Sequence, residues 1–207
     1  MPRIQFKEKT AVEINGSAEI KTGGVPLYQL KITLQWSDPA IWRQVVVRAD
    51  LRLDRLHQVI QQVMPWTNSH LHQFIVGRTY YGVPDLEAGL DFETLDERRH
   101  TVAELAPAAK KKFIYEYDFG DGWAHEVKLE KILPPDAGFK QPVCVAGANA
   151  CPPDDCGGMG GYYNMLAILA KPKHPEYRQW HDWLGGKWDA KCFDLEETNR
   201  RLKRLKM

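Results

Sequence analysis

The sequence predicts an α+β fold: one compact domain with a mixed, largely antiparallel β-sheet, a long hairpin and C-terminal helices. Three observations predict it. Apolar residues alternate with polar ones in two neighbouring stretches near the start. A second pair of alternating stretches flanks Gly120-Asp121-Gly122. Helical spacing is confined to residues 53–63 and to the last quarter of the chain. With 207 residues, 43% of them apolar, one sizeable core is affordable, and no linker or internal repeat divides the chain.

Residues 1–26 read as a flexible arm, weakly periodic and ending near Thr22-Gly23-Gly24, with one short strand expected at Ala11–Ile14. The domain is expected over 27–207. Tyr28, Leu30, Ile32, Leu34 and Trp36 alternate with polar residues, the mark of a strand with one dry face. Ser37-Asp38-Pro39 turns the chain, and the β-branched run Val45-Val46-Val47 makes a second, antiparallel strand. Leu53, Leu56, Ile60 and Val63 recur at helical spacing until Pro65 stops the helix. Residues 70–81 read as one strand. Strand, strand, helix, strand is a β-grasp-like ββαβ opening.

Residues 82–100 read as a long loop. Thr101 and Glu104 have capping-box spacing before a short helix. Phe113, Tyr115, Tyr117 and Phe119, then Trp123, His125, Val127 and Leu129, form the two arms of a hairpin turning on Gly120-Asp121-Gly122. Residues 140–160, rich in Gly, Pro, Cys and Asp, read as irregular. Helices are expected at 161–170, from Pro175 to Gly185-Gly186, and from Asp194 to about Lys206.

Charge narrows the function. Lys plus Arg number 28 against 27 acids, a net charge of +1, which excludes a strongly basic nucleic-acid coater. No apolar run reaches the roughly 18 residues of a membrane helix. The first ten residues carry charges where a secretory signal needs an apolar stretch, so the expected location is cytoplasmic.

Four groups of residues can carry chemistry. Cys144, Cys151 and Cys156 lie in one stretch, and zinc takes four thiolate or imidazole ligands; His125 is the first choice for the fourth, with Cys192 and His174 as alternatives. The same thiols can equally be small packing residues. Asp118 to Glu126, D-F-G-D-G-W-A-H-E, lacks the partner motifs of a kinase magnesium site and the acid spacing of a calcium loop. Its acids either cap turn amides or join His125 around a polar pocket. His70 and His72, two apart on a strand, share a face near Trp66; a binding cleft built from Trp66, His70, His72, Asp118, Asp121 and Trp123 is the resulting expectation. Arg200, Arg201, Lys203, Arg204 and Lys206 give the last helix a basic end, suited to phosphate or simply to the helix dipole.

Several segments resemble the plasmid pRiA4b ORF-3-like family: D-P-A-I-W-R at 38–43, L-H-Q-V-I-Q at 56–61, H-L-H-Q-F at 70–74, Y-D-F-G-D-G-W-A-H at 117–125, C-P-P-D-D-C-G-G at 151–158 and F-D at 193–194. The resemblance spans about residues 27–196. It implies a compact domain of mixed α and β structure, found on plasmids and mobile elements, and it draws attention to Trp42 together with the residues above. Some members have been labelled resolvases, but neither a serine-resolvase nor a tyrosine-recombinase residue set is identifiable here. The resemblance carries over no catalytic residue. The leading expectation is a non-enzymatic module that binds a protein or small polar ligand, with a structural zinc. The alternatives are a nucleic-acid accessory protein using the basic last helix and a metal-dependent hydrolase using His70, His72, Asp118, Asp121 and His125.

Overall fold

The computed structural model describes residues 24–84 and 94–206. The expected arm and its strand at 11–14 lie almost wholly outside the described residues. Alternation becomes structure where each strand has one dry face. Strands β1 (Leu27–Leu34) and β2 (Trp42–Arg48) pair antiparallel. Helix α1 (Leu53–Val63) buries Leu53, Leu56, Val59, Ile60 and Val63. The expected strand at 70–81 is two strands, β3 (His72–Val76) and β4 (Thr79–Gly82), because Gly77 takes a left-handed φ of 60° and turns the chain with Arg78. The expected loop at 82–100 contains β5 (Thr94–Asp96) and a 3-10 turn at Glu97–Arg99, and α2 (Val102–Leu105) follows. The capping box does not close: the Thr101 hydroxyl donates to the Glu104 carboxylate instead of accepting a backbone amide.

The hairpin is β6 (Lys112–Tyr117) and β7 (Trp123–Leu133). Strand β8 (Val143–Ala148) lies inside the stretch expected to be irregular, and Cys144 belongs to it. Three helices close the chain: α3 (Gly158–Leu169), α4 (Tyr177–Trp183) and α5 (Leu195–Lys203). Asp194 caps α5 by accepting from the Glu197 amide, as its spacing predicts.

The eight strands of the described residues form one sheet in the order β5-β4-β3-β6-β7-β1-β2-β8, antiparallel except for β4 and β5. The ββαβ chain order is present, but β6 and β7 stand between β3 and β1 in the sheet. The hairpin therefore occupies the centre, and its dry face (Phe113, Tyr115, Tyr117, Trp123, Val127, Leu129) is the middle of the core, with α1 against it. The opposite face is polar: Gln73 donates to Glu116, Lys112 pairs with Glu126, and Gln44 donates to Glu130. At the β8 edge, the Asn199 side chain accepts from the Cys144 amide and donates to the Cys144 carbonyl, both at 2.9 Å.

Candidate metal centre

The left-handed turn that joins the hairpin arms builds one half of the site. Asp118 has φ 55° and lies just past β6. Its Oδ1 accepts from the amides of Gly120 (3.0 Å) and Asp121 (3.3 Å), so the turn-capping expectation is met by one carboxylate oxygen. The other, Oδ2, stands 3.7 Å from His70 Nε2.

The second half arrives from the loop before α3. Trp66, buried and stacked on Tyr117 at 5.1 Å, donates its indole N–H to the Pro152 carbonyl and docks that loop against the core. Asp154 Oδ2 then accepts from the Thr67 hydroxyl (2.6 Å), the Thr67 amide and the Tyr117 hydroxyl. Asp155, in a left-handed φ of 60°, turns its Oδ1 to within 2.9 Å of His70 Nε2. Gly158 closes the junction. Its φ is 64°, and a Cβ there would collide with the Asp121 carbonyl oxygen, so only glycine lets α3 start this close to the hairpin turn.

The result is a group of four potential ligand atoms, one each from His70, Asp118, Asp154 and Asp155, all within 4.8 Å of one another. No other such group of three or more His, Cys, Asp or Glu side chains occurs among the described residues. Asp118 is buried, His70 and Asp154 are half-buried, and Asp155 faces solvent. Asp154 Oδ1 is inaccessible and has no hydrogen-bond partner. Burial opposes charge on His70, but Asp118 and then the Asp155 hydrogen bond outweigh it and raise the imidazole pKa. A pocket of about 190 Å³ lined by Asp155, Gln179, Trp180 and Trp183 adjoins the group.

The residues expected to share a cleft separate. His70 and His72 do not act together: His70 precedes β3 and joins the acids, whereas His72, at the start of β3, is turned into the fold. His72 Nε2 meets Glu97 at 2.8 Å, and its ring stacks on His57 with centroids 3.4 Å apart. His57 bridges the Tyr115 hydroxyl and Asn68, and burial followed by the neighbouring His72 lowers its pKa to about 3. Asp121 is drawn away, accepting from the Gly157 amide. Trp66 and Trp123 are core residues, and Trp42 is half-buried beneath Lys31.

The expected zinc set is not assembled. No three of Cys144, Cys151, Cys156 and His125 bring ligand atoms within 4.8 Å of one another. Cys144 Sγ donates to the Ala146 carbonyl from the edge strand. Burial raises all three thiols, Cys144 to about 11 and Cys156 to about 12, which keeps them protonated and suits packing. His125 is wholly buried between Trp66 and Tyr115; burial lowers it to about 4, only partly offset by the Tyr115 and Trp123 backbones, and neither ring nitrogen makes a well-formed hydrogen bond. The alternative fourth ligands are Cys192, which is exposed, and His174, which is half-buried and accepts from the Glu176 amide. The acids missed from sequence, Asp154 and Asp155, sit in plain view inside C-P-P-D-D-C, between the two cysteines taken as ligands.

Among the described residues no helix is long and apolar enough to cross a membrane. Three comparisons place the chain. It is 37% identical over 174 residues to the uncharacterized protein y4hQ of Sinorhizobium fredii (strain NBRC 101917 / NGR234), covering 83% of this chain and 88% of that protein. It superposes on the crystal structure of MM3350, a protein of unknown function from Methanosarcina mazei Go1, with a TM-score of 0.76 and 33% identity, over 84% of this chain and 97% of that one. The profile of the plasmid pRiA4b ORF-3-like protein matches residues 26–197, a stretch that holds both halves of the histidine–aspartate group. With sequence, fold and length agreeing, the chain belongs to the plasmid pRiA4b ORF-3-like family.

Proposed function

We propose that this chain is a non-enzymatic binding module and that its ligand site is a divalent-cation centre at His70, Asp118, Asp154 and Asp155. The observation that carries the reading is the convergence of those four side chains, with Asp154 Oδ1 buried and unpartnered. A buried carboxylate oxygen with no donor is costly, and a cation removes that cost. Three carboxylates with one imidazole suit manganese or zinc better than calcium, which takes oxygen ligands in greater number. The adjoining Trp180 and Trp183 pocket gives a small polar ligand a surface beside the ion.

The test is calorimetric titration of the full chain with manganese, zinc, magnesium and calcium. Saturable binding of manganese or zinc near one ion per chain is expected. It should be abolished by Asp118→Asn with Asp154→Asn, and should strengthen as pH rises and His70 loses its proton. No saturable binding, or binding unchanged in the double variant, rejects the reading.

A second reading, a metal-dependent hydrolase, rests on the exposure of Asp155, which leaves one side of the group open to solvent. Catalysis needs such an open position for a metal-bound water. Turnover of a chromogenic phosphate ester by the metal-loaded chain, lost in the same double variant, would favour it. The nucleic-acid reading has less support, because Arg200 pairs with Glu197 and Arg201 donates to the Gln62 carbonyl.

A further inference from the structure

The fold holds a second polar anomaly, centred on Arg43. This residue stands on β2 between Ile32 of β1 and Gly147 of β8 and is only 2% exposed. Burying a guanidinium is costly unless it gains a counter-charge. Arg43 gains only dipoles: Nε donates to the Val63 carbonyl, and Nη1 donates to the carbonyls of Trp42 and Ala148. Those bonds join β2, the end of α1 and the end of β8. They use three of the five N–H groups; Nη2 makes no hydrogen bond to the described residues, and it is not among their sealed unpartnered atoms. Arg43 forms no ion pair with a carboxylate among the described residues; the titratable groups that act on it are Cys151, Cys144 and Arg201, and His125 feels its charge.

Arg43 lines a cleft of about 400 Å³, within the size range of small-molecule sites. Phe193 forms one wall. Its ring packs where a Cβ on Gly147 would stand, and the Arg43 guanidinium lies over it at 4.4 Å. Trp188 lines the cleft too; Lys187 adds positive charge, and so does Arg201, although Arg201 also pairs with Glu197 at 3.5 Å and donates to the Gln62 carbonyl. Two acids reach the rim, Asp189 and Asp194, but each has an oxygen engaged with a backbone amide, of Lys191 and Glu197 respectively. A flat, half-apolar cleft with an uncompensated guanidinium at its base matches a small organic anion: a planar body against the rings, an oxyanion on the cations.

We propose that this cleft is a binding site for a small oxyanion-bearing molecule, a carboxylate or a phosphate, anchored on Arg43 and flanked by Arg201 and Lys187. The site is separate from the histidine–aspartate group and does not depend on it.

The experiment titrates the full chain with inorganic phosphate in one arm and benzoate in the other, at ionic strength held constant with chloride. The readouts are thermal midpoint and the alkylation rate of Cys192, which is exposed and lines the same cleft. Arg43 also ties three elements together, so the rim variants Lys187→Ala and Arg201→Gln carry the test. A saturable rise in midpoint with one anion is expected, with slowed Cys192 alkylation and affinity weakened roughly threefold or more in each variant. The arm that responds identifies phosphate or carboxylate as the source. Absence of saturation in both arms, or equal affinity in wild type and variants, overturns the proposal.

Discussion

His70 and His72 lie two residues apart and each meets a carboxylate, yet the two neighbourhoods are opposites. His70 faces Asp118 and Asp155 at the open end of the hairpin, and its proton is favoured. His72 is sealed under α1 with Glu97, stacked on a His57 that burial keeps neutral. Chemistry and spacing are nearly the same in the two places. What differs is water. At the open end the charges are partly solvated and available to a ligand, while under α1 every polar atom must be matched within the protein. The first neighbourhood can do work on something outside the molecule; the second specifies how α1, β3 and the 3-10 turn fit together.

The largest expected effect breaks the sealed side. Glu97→Ala leaves His72 buried without its partner and should cost about 3 kcal/mol or more in urea unfolding, whereas Asp155→Ala at the open end should cost about 1 kcal/mol or less. Equal costs would mean the two sites are not energetically distinct. The next effect is titration. With native pKa values of about 3 for His57 and about 4 for His125, both below the ordinary 6.5, the unfolded chain binds more protons in the interval between. Their stabilisation is complete above pH 6.5 and is lost as pH falls toward about 4 for His125 and about 3 for His57, by roughly several kcal/mol in all. His125→Phe should flatten part of that acid limb in urea midpoints measured from pH 7 to 4; an unchanged limb would assign it to other groups. The smallest effect has the opposite sign. His70, raised above 6.5, contributes below that value and loses its contribution as pH climbs through its native pKa. His70→Asn should therefore destabilise by about 0.5 kcal/mol at pH 6 and by less at pH 8.5; a difference that grows with pH would reverse the assignment.

How much of this was legible in the sequence depended on range. Strands β1, β2, β6 and β7 announce themselves because each has one wet and one dry face. Strand β8 does not, since its V-C-V-A-G-A alternates poorly and lies between proline- and glycine-rich stretches. Helix α3 starts at Gly158, three residues before the expected Gly161, because contact with Asp121 rather than helix propensity sets the start. His70 and Asp118 were identifiable as candidates from their neighbours in sequence. Their meeting with Asp154 and Asp155 was not, because it depends on Trp66 reaching the Pro152 carbonyl 86 residues away. Periodicity reports the faces of elements; it carries no information on which loop docks on which turn.

The side chain of Asn199 has a consequence for the molecule in a crowd. An outermost strand offers its free amides and carbonyls to any extended peptide, including a neighbouring copy of itself. Here the primary amide of Asn199 imitates the backbone of one more strand, and takes the donor and acceptor of Cys144 where Val143 and Val145 would otherwise make a sticky border. The sheet ends there in a counterfeit rung, and a growing fibril finds its first template already occupied.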